Sequence, residues 1–300
     1  MNLRLMALNI KEFVPTLSVP VIKQRINIRY KQLLGAEDWE FLKDRTTVKL
    51  EGDYASTSTV DTVALTHDST AVVGTGTTFT NFAVGDFIRF GSEAQPYEIG
   101  TITNATNIVL STAYGGASAA TGSYKVFRTY YTPSVNDVGE IVSIVYQSRL
   151  HEATENYLNT LDPQRSSTGS PTHYRIVNKT KGDGLVTFEV WPAPDSDYVV
   201  TVHYKKYVAD LTTDTDEPIF RPELIEAGTL WDCFRLVFTI TQNPAYIGLA
   251  RDAKVDYDKL LRVAVIEDLG TTSMPRRVRD VTSSVGFDDD FILSHDVEGI

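Results

Sequence analysis

The sequence predicts an α+β protein. A helical bundle, made of an N-terminal helix and a C-terminal antiparallel helix pair, joins an antiparallel β-sheet or sandwich core. That core carries an inserted all-β small barrel or sandwich. Three observations predict this. Apolar residues recur at helical spacing near both ends of the chain, over residues 22–33 and again over 224–264. Residues 140–207 hold short runs of β-prone side chains between turn signals. Residues 55–127 turn abruptly to Thr, Ser, Gly and Ala, with almost no Lys or Arg and no helical pattern.

Taken in order, Ser18 reads as a helix cap and Pro20 occupies the first turn, where its missing N–H costs nothing. Ile22, Ile26, Tyr30 and Leu33 follow on one face, and Gly35 ends the run. Trp39, Phe41 and Leu42 are apolar anchors, and residues 46–50 take strand chemistry. Inside the compositional shift, strands are expected at 70–73, 87–90, 97–102, 107–110 and 123–127. Gly74-Thr75-Gly76 lies among them as a turn, ahead of Phe82, Val84, Phe87 and Ile88, which are expected to fill a small core. Past it come a strand at 140–146, an amphipathic helix at 150–161 stopped by Asp162-Pro163, and strands at 174–178, 185–191 and 198–207. The first closing helix opens at Pro222 with Leu224, Ala227, Trp231, Phe234 and Phe238 on its stripe. The second carries Ala250, Ala253, Tyr257, Leu260 and Ala264, with Asn243-Pro244 breaking the chain between them. The domains expected are a core of residues 1–54 and 128–270, an inserted β domain at 55–127, and an extended tail at 271–300.

Candidate chemistry is sparse. The glycines lack the third glycine, the following helix and the distant acid of a dinucleotide fingerprint, and no Gly-Lys-Ser/Thr is present. His67, His151, His173, His203 and His295 give no helical ligand pair. His151 and Glu155 stand four apart without a third ligand, so no metal and no cofactor is expected. Cys233 lies on an apolar stripe and reads as a small buried hydrophobe. No Gly-x-Ser-x-Gly elbow occurs, and Asp288-Asp289-Asp290 reads as a solvated charge run. The single cysteine precludes an intrachain disulfide, and no stretch nears 18 uninterrupted apolar residues. The chain therefore reads as soluble, without a secretory leader, membrane span or enzymatic activity. A net charge of −11 argues against non-specific affinity for nucleic-acid backbone.

Several segments resemble the head-to-tail adaptor, or connector, proteins of tailed bacteriophages, the podovirus tail-tube A or nozzle-adaptor type in particular. They are INIRYKQLLGAEDWEFL (26–42), SPTHYRI (170–176), FEVWPAP (188–194), VVTVHYKKY (199–207), DEPIFRP (216–222) and the closing helix pair. Residues 72–126 also look like a small β module of phage structural proteins, in which Gly-Thr-Gly-Thr precedes Val84-Gly85-Asp86. The resemblance implies a virion protein, made in the host cytoplasm, that joins the portal to the tail nozzle or tail fibres. It implies a homo-oligomeric ring of about a dozen copies whose contacts close by rotation. Viral DNA would pass through the ring without sequence-specific binding. The ring wall would use Trp231, Phe234, Phe238, Tyr257 and Leu260, and the tail would dock on the portal through Phe287, Phe291, Ile292, Leu293 and Ile300.

Two other classes compete. A tail-associated receptor- or glycan-binding protein is suggested by the insert's aromatics Phe79, Phe82, Tyr97 and Tyr114. A hydrolase hidden in the β core requires Asp, Glu and His to cluster on folding.

Overall fold

The computed structural model describes residues 1–56, 60–179 and 185–270. Among them the chain is α+β, with five α-helices and three largely antiparallel sheets. It opens with α1 (Leu3–Phe13) and α2 (Val19–Ala36), then a short 3-10 turn (Glu40–Leu42) and β1 (Lys43–Leu50). Next come β2 (Tyr54–Ala55), β3 (Thr62–Leu65), β4 (Ala71–Thr75), β5 (Phe87–Phe90), β6 (Tyr97–Ile102), β7 (Asn107–Leu110), β8 (Ala119–Gly122) and β9 (Tyr124–Phe127). They are followed by β10 (Tyr130–Tyr131), β11 (Val138–Tyr146), β12 (Ser148–Arg149), β13 (His151–Glu152) and α3 (Glu155–Leu161). The chain ends with β14 (His173–Lys179), β15 (Val186–Trp191), β16 (Tyr198–Lys206), α4 (Pro222–Thr241) and α5 (Ala245–Gly270). No helix among the described residues is long and apolar enough to cross a membrane.

Two compact units divide the chain, one of residues 1–42 and those from Ala209 onward, the other of Lys43–Val208. The first unit is helical. Sequence reasoning passes over α1, although Asn2 caps it by accepting the Leu5 N–H at 3.0 Å and Leu3, Met6, Ala7 and Ile10 form its buried stripe. In α2 the expected face is the buried one, and Pro20 stands in the first turn, but the Ser18 hydroxyl makes no capping bond. Trp39 is fully buried and its indole N–H donates to the Leu33 carbonyl at 2.8 Å. Phe220 meets Trp39 at 5.1 Å and Tyr30 edge-on at 6.0 Å, so one aromatic cluster links α2 to the segment before α4.

The second unit is β-rich. One sheet has the order β1-β16-β11-β12, another β10-β15-β14-β13, and both contribute to a single core that includes Ile144, Tyr174, Phe188, Val200 and Val202. The helix expected at 150–161 starts five residues late. His151 and Glu152 pair instead with β14 as a short parallel strand, and Thr154 caps α3 by accepting the Tyr157 N–H at 3.3 Å. The third sheet has the order β2-β9-β5-β6-β7-β4-β3-β8, and its core includes Phe79, Ile88, Phe90, Ile99 and Tyr124. Strands β2, β3 and β8 are missing from the sequence expectation because their runs are short or rich in Ala, Thr and Gly. Of the four residues expected to fill this core, Ile88 does, Phe82 and Phe87 are half-buried, and Val84 is exposed in the turn before Asp86.

Candidate functional site

The stripe of α4 and α5 singled out in the sequence points into the helical unit. Trp231, Phe234 and Tyr257 are buried, while Phe238 and Leu260 are half-buried. On α5 the buried face runs through Ala250, Tyr257, Leu261 and Val265, so the expected stripe slips by one residue past Tyr257. The centre of this interior is a cation. Arg29 of α2 is 2 % exposed, its guanidinium 4.8 Å from the Trp231 ring centre and 4.9 Å from that of Tyr257. It donates two hydrogen bonds to Asp232, at 3.1 Å to Oδ2 and 2.5 Å to Oδ1. Gly228 makes room for it, because a Cβ there would lie 2.7 Å from Arg29 Cδ and 2.9 Å from the Tyr257 ring. Sequence reasoning misses Arg29, since an arginine on a helix is ordinarily read onto the solvated side.

The same helices keep a second, outward apolar face. On α5, Val255, Val263 and Ile266 are exposed on the side opposite Tyr257 and Leu261, and Leu249 is exposed near the start of the helix. On α1, Leu5 and Leu8 are exposed opposite the buried Leu3, Met6 and Ile10, and Phe13 is exposed at the end of the helix. The unit thus encloses a core and still displays large apolar side chains on two helices. The tail residues Phe287, Phe291, Ile292, Leu293 and Ile300 lie outside the described residues.

The polar groups of the second unit are engaged in holding loops. Asp86 is buried where Gly85 takes a φ of +92°. It accepts the Ala83 N–H at 2.8 Å and a two-pronged bond from Arg128 at 2.6 and 3.0 Å, and Arg128 also pairs with Glu51 at 2.8 Å. Glu189 has no exposed surface and is clamped between Arg165 and Arg175, each at 2.7 Å. Burial acts to raise the Asp162 carboxyl, but hydrogen bonds from Ser167, Ser166 and Trp191 outweigh it and hold the group at about 2.

The other readings open to the sequence find little chemistry. Gly76 has a φ of +71° and a Cβ there would strike the Val60 carbonyl oxygen at 2.0 Å, so it is a turn glycine packed against its own chain. Burial, followed by the nearby Asp232 charge, pushes the Cys233 thiol up to about 12, which leaves it unreactive. His151 lies on a strand, so its spacing to Glu155 is not helical, and Glu155 turns to Arg175 at 2.9 Å. Among the described residues, no three His, Cys, Asp or Glu side chains gather to hold a metal. Phe79, Tyr97 and Tyr114, offered as a glycan platform, are buried in the core of the eight-stranded sheet. Only the half-buried Phe82 of that set reaches the surface.

A family model described as SU10 adaptor protein matches residues 54–279. None of the curated proteins compared with the chain matches it.

Proposed function

Because the chain belongs to the SU10 adaptor protein family, a family of phage structural proteins, we propose that it is a head-to-tail adaptor of the nozzle type. In this reading, copies assemble side by side into a ring of about a dozen under the portal, each contact heterologous and closed by rotation. The observation that carries it is the helical unit's double face. Arg29, Trp231, Phe234 and Tyr257 complete an interior within one copy, leaving Val255, Val263 and Ile266 on α5 and Leu5 and Leu8 on α1 for a neighbour. A net charge of −11 suits a channel wall past which DNA slides without adhering.

The eight-stranded element is, in this reading, a small closed barrel inserted into the adaptor core. Its strand order supports closure, since β8 and β9 lie at or next to opposite ends of the sheet yet are joined through Ser123 alone. Its surface then reaches toward the tail nozzle or a fibre. Residues 287–300 reach the portal, with Phe287, Phe291, Ile292, Leu293 and Ile300 as the contacts.

Mass photometry and negative-stain imaging of the full chain with its cognate portal test the proposal. A ring is expected, alone or on meeting the portal. A monomer that never associates with portal overturns it, and a salt-sensitive affinity for duplex DNA overturns the passive channel wall.

A further inference from the structure

An open surface depression is lined by His151, Glu152, Ala153, Thr154, Tyr157 and His173. Parallel pairing of β13 with β14 sets His151 directly beside His173, although 21 residues separate them in sequence. Their ring centres stand 5.5 Å apart, with the planes inclined at 42°. His173 is held on its other sides by Trp191 at 5.5 Å and Tyr157 at 5.6 Å. Its Nδ1 lies 2.9 Å from Thr172 Oγ1, a hydrogen bond that occupies one ring nitrogen and leaves Nε2 for another partner.

We propose that His151 and His173 form a two-imidazole seat for a borderline divalent metal of the Zn²⁺ or Ni²⁺ class. Imidazole nitrogen is the donor these ions favour over hard cations such as Ca²⁺ and Mg²⁺. Two imidazoles on one tetrahedral zinc, each with Zn–N of about 2.0–2.1 Å, hold their ring centres about 5 Å apart. The observed 5.5 Å is close to that spacing, and the His151 side chain is exposed. No third His, Cys, Asp or Glu among the described residues joins the pair. The remaining positions therefore go to solvent or to a carboxylate of a neighbouring molecule, and the site is open where a structural zinc site is closed.

Calorimetric titration of the untagged full chain with ZnCl₂ near neutral pH tests this. One saturable site is expected, and His151→Ala should weaken it by more than about tenfold, since even outer-shell changes cost that much. His173→Gln should act in the same direction, whereas His203→Ala should leave binding unchanged. His151 is exposed at a sheet edge, so its alanine variant is expected to keep the parent's circular dichroism spectrum. A second readout needs no variant: Zn²⁺ should shift the imidazole NMR signals of His151 and His173 but not those of His67 and His203. Absence of saturable binding in the parent, unchanged binding in His151→Ala, or shifts confined to the other histidines overturns the proposal.

Discussion

Replacing Arg29 with Met is expected to destabilise the helical unit strongly. The guanidinium is 2 % exposed, doubly bonded to Asp232 and flanked by Trp231 and Tyr257 within 4.9 Å. Methionine fills much of the volume but strands the Asp232 carboxylate, whose side chain is 17 % exposed. Removing one partner of a buried ion pair costs about 3–5 kcal/mol, and each cation–π contact adds about 0.5–2 kcal/mol. Water reaching Asp232 offsets part of this, so a loss of about 3 kcal/mol is expected for Arg29→Met. The companion variant, Arg29→Met with Asp232→Leu, removes both charges and should return to within about 1 kcal/mol of the parent. Urea unfolding followed by circular dichroism at the helix band measures both. The reasoning is refuted if Arg29→Met costs less than about 1 kcal/mol, or if the double variant is no more stable than the single one.

Four further outcomes are expected. Gly35→Ala meets nothing within 4 Å and should stabilise α2 by about 0.5 kcal/mol through helix propensity, whereas Gly228→Ala presses on Arg29 and Tyr257 and should destabilise by about 1–2 kcal/mol in the same assay. Gly76→Ala, at a positive φ and against the Val60 carbonyl, should cost about 2 kcal/mol or more, and an unchanged Tm would contradict its role as a turn glycine. Asp162 is held at about 2 in the folded chain against an ordinary 3.8, so its stabilisation is complete above the higher value and disappears as pH falls through the lower. The stability gap between the parent and Asp162→Asn should therefore narrow between about pH 5 and pH 2, and a gap that widens on acidification would refute the assignment.

The sequence carries much of the α+β framework through periodicity alone. Ile22, Ile26, Tyr30 and Leu33 reappear as the buried face of α2, and the strands at 87–90, 97–102 and 107–110 fall at the expected residues. What periodicity does not carry is pairing between distant residues. Arg29 becomes interior only because Trp231, Asp232 and Tyr257 arrive some 200 residues later, and no local pattern announces a cation between two rings. Residues 150–161 share a stripe that suggests a helix through His151, but the partner that decides its state is His173 on β14. α1 is legible in principle from Asn2 and the spacing of Leu3, Met6 and Ile10, yet an apolar run at the start of a chain invites a test for a leader before one for a cap. The slip from Leu260 to Leu261 reflects the 3.6-residue turn, which drifts away from any strict three-four count over a helix of 26 residues.

The helical unit is assembled from the two ends of the chain, with α1 and α2 before Lys43 and α4 and α5 after Val208. During synthesis α1 and α2 must therefore wait for their partners while the whole β unit emerges, about 10–30 s at ordinary elongation rates. Residues 43–208 hold all their own sheet partners and can close first, with β1 and β16 zipped together at the point where the chain departs and returns. The outward faces of α1 and α5 are both present only after the β unit has emerged. A nascent chain that has not yet reached α5 thus lacks one of these two faces, and the order of synthesis sets closure of the β unit ahead of that of the helical unit.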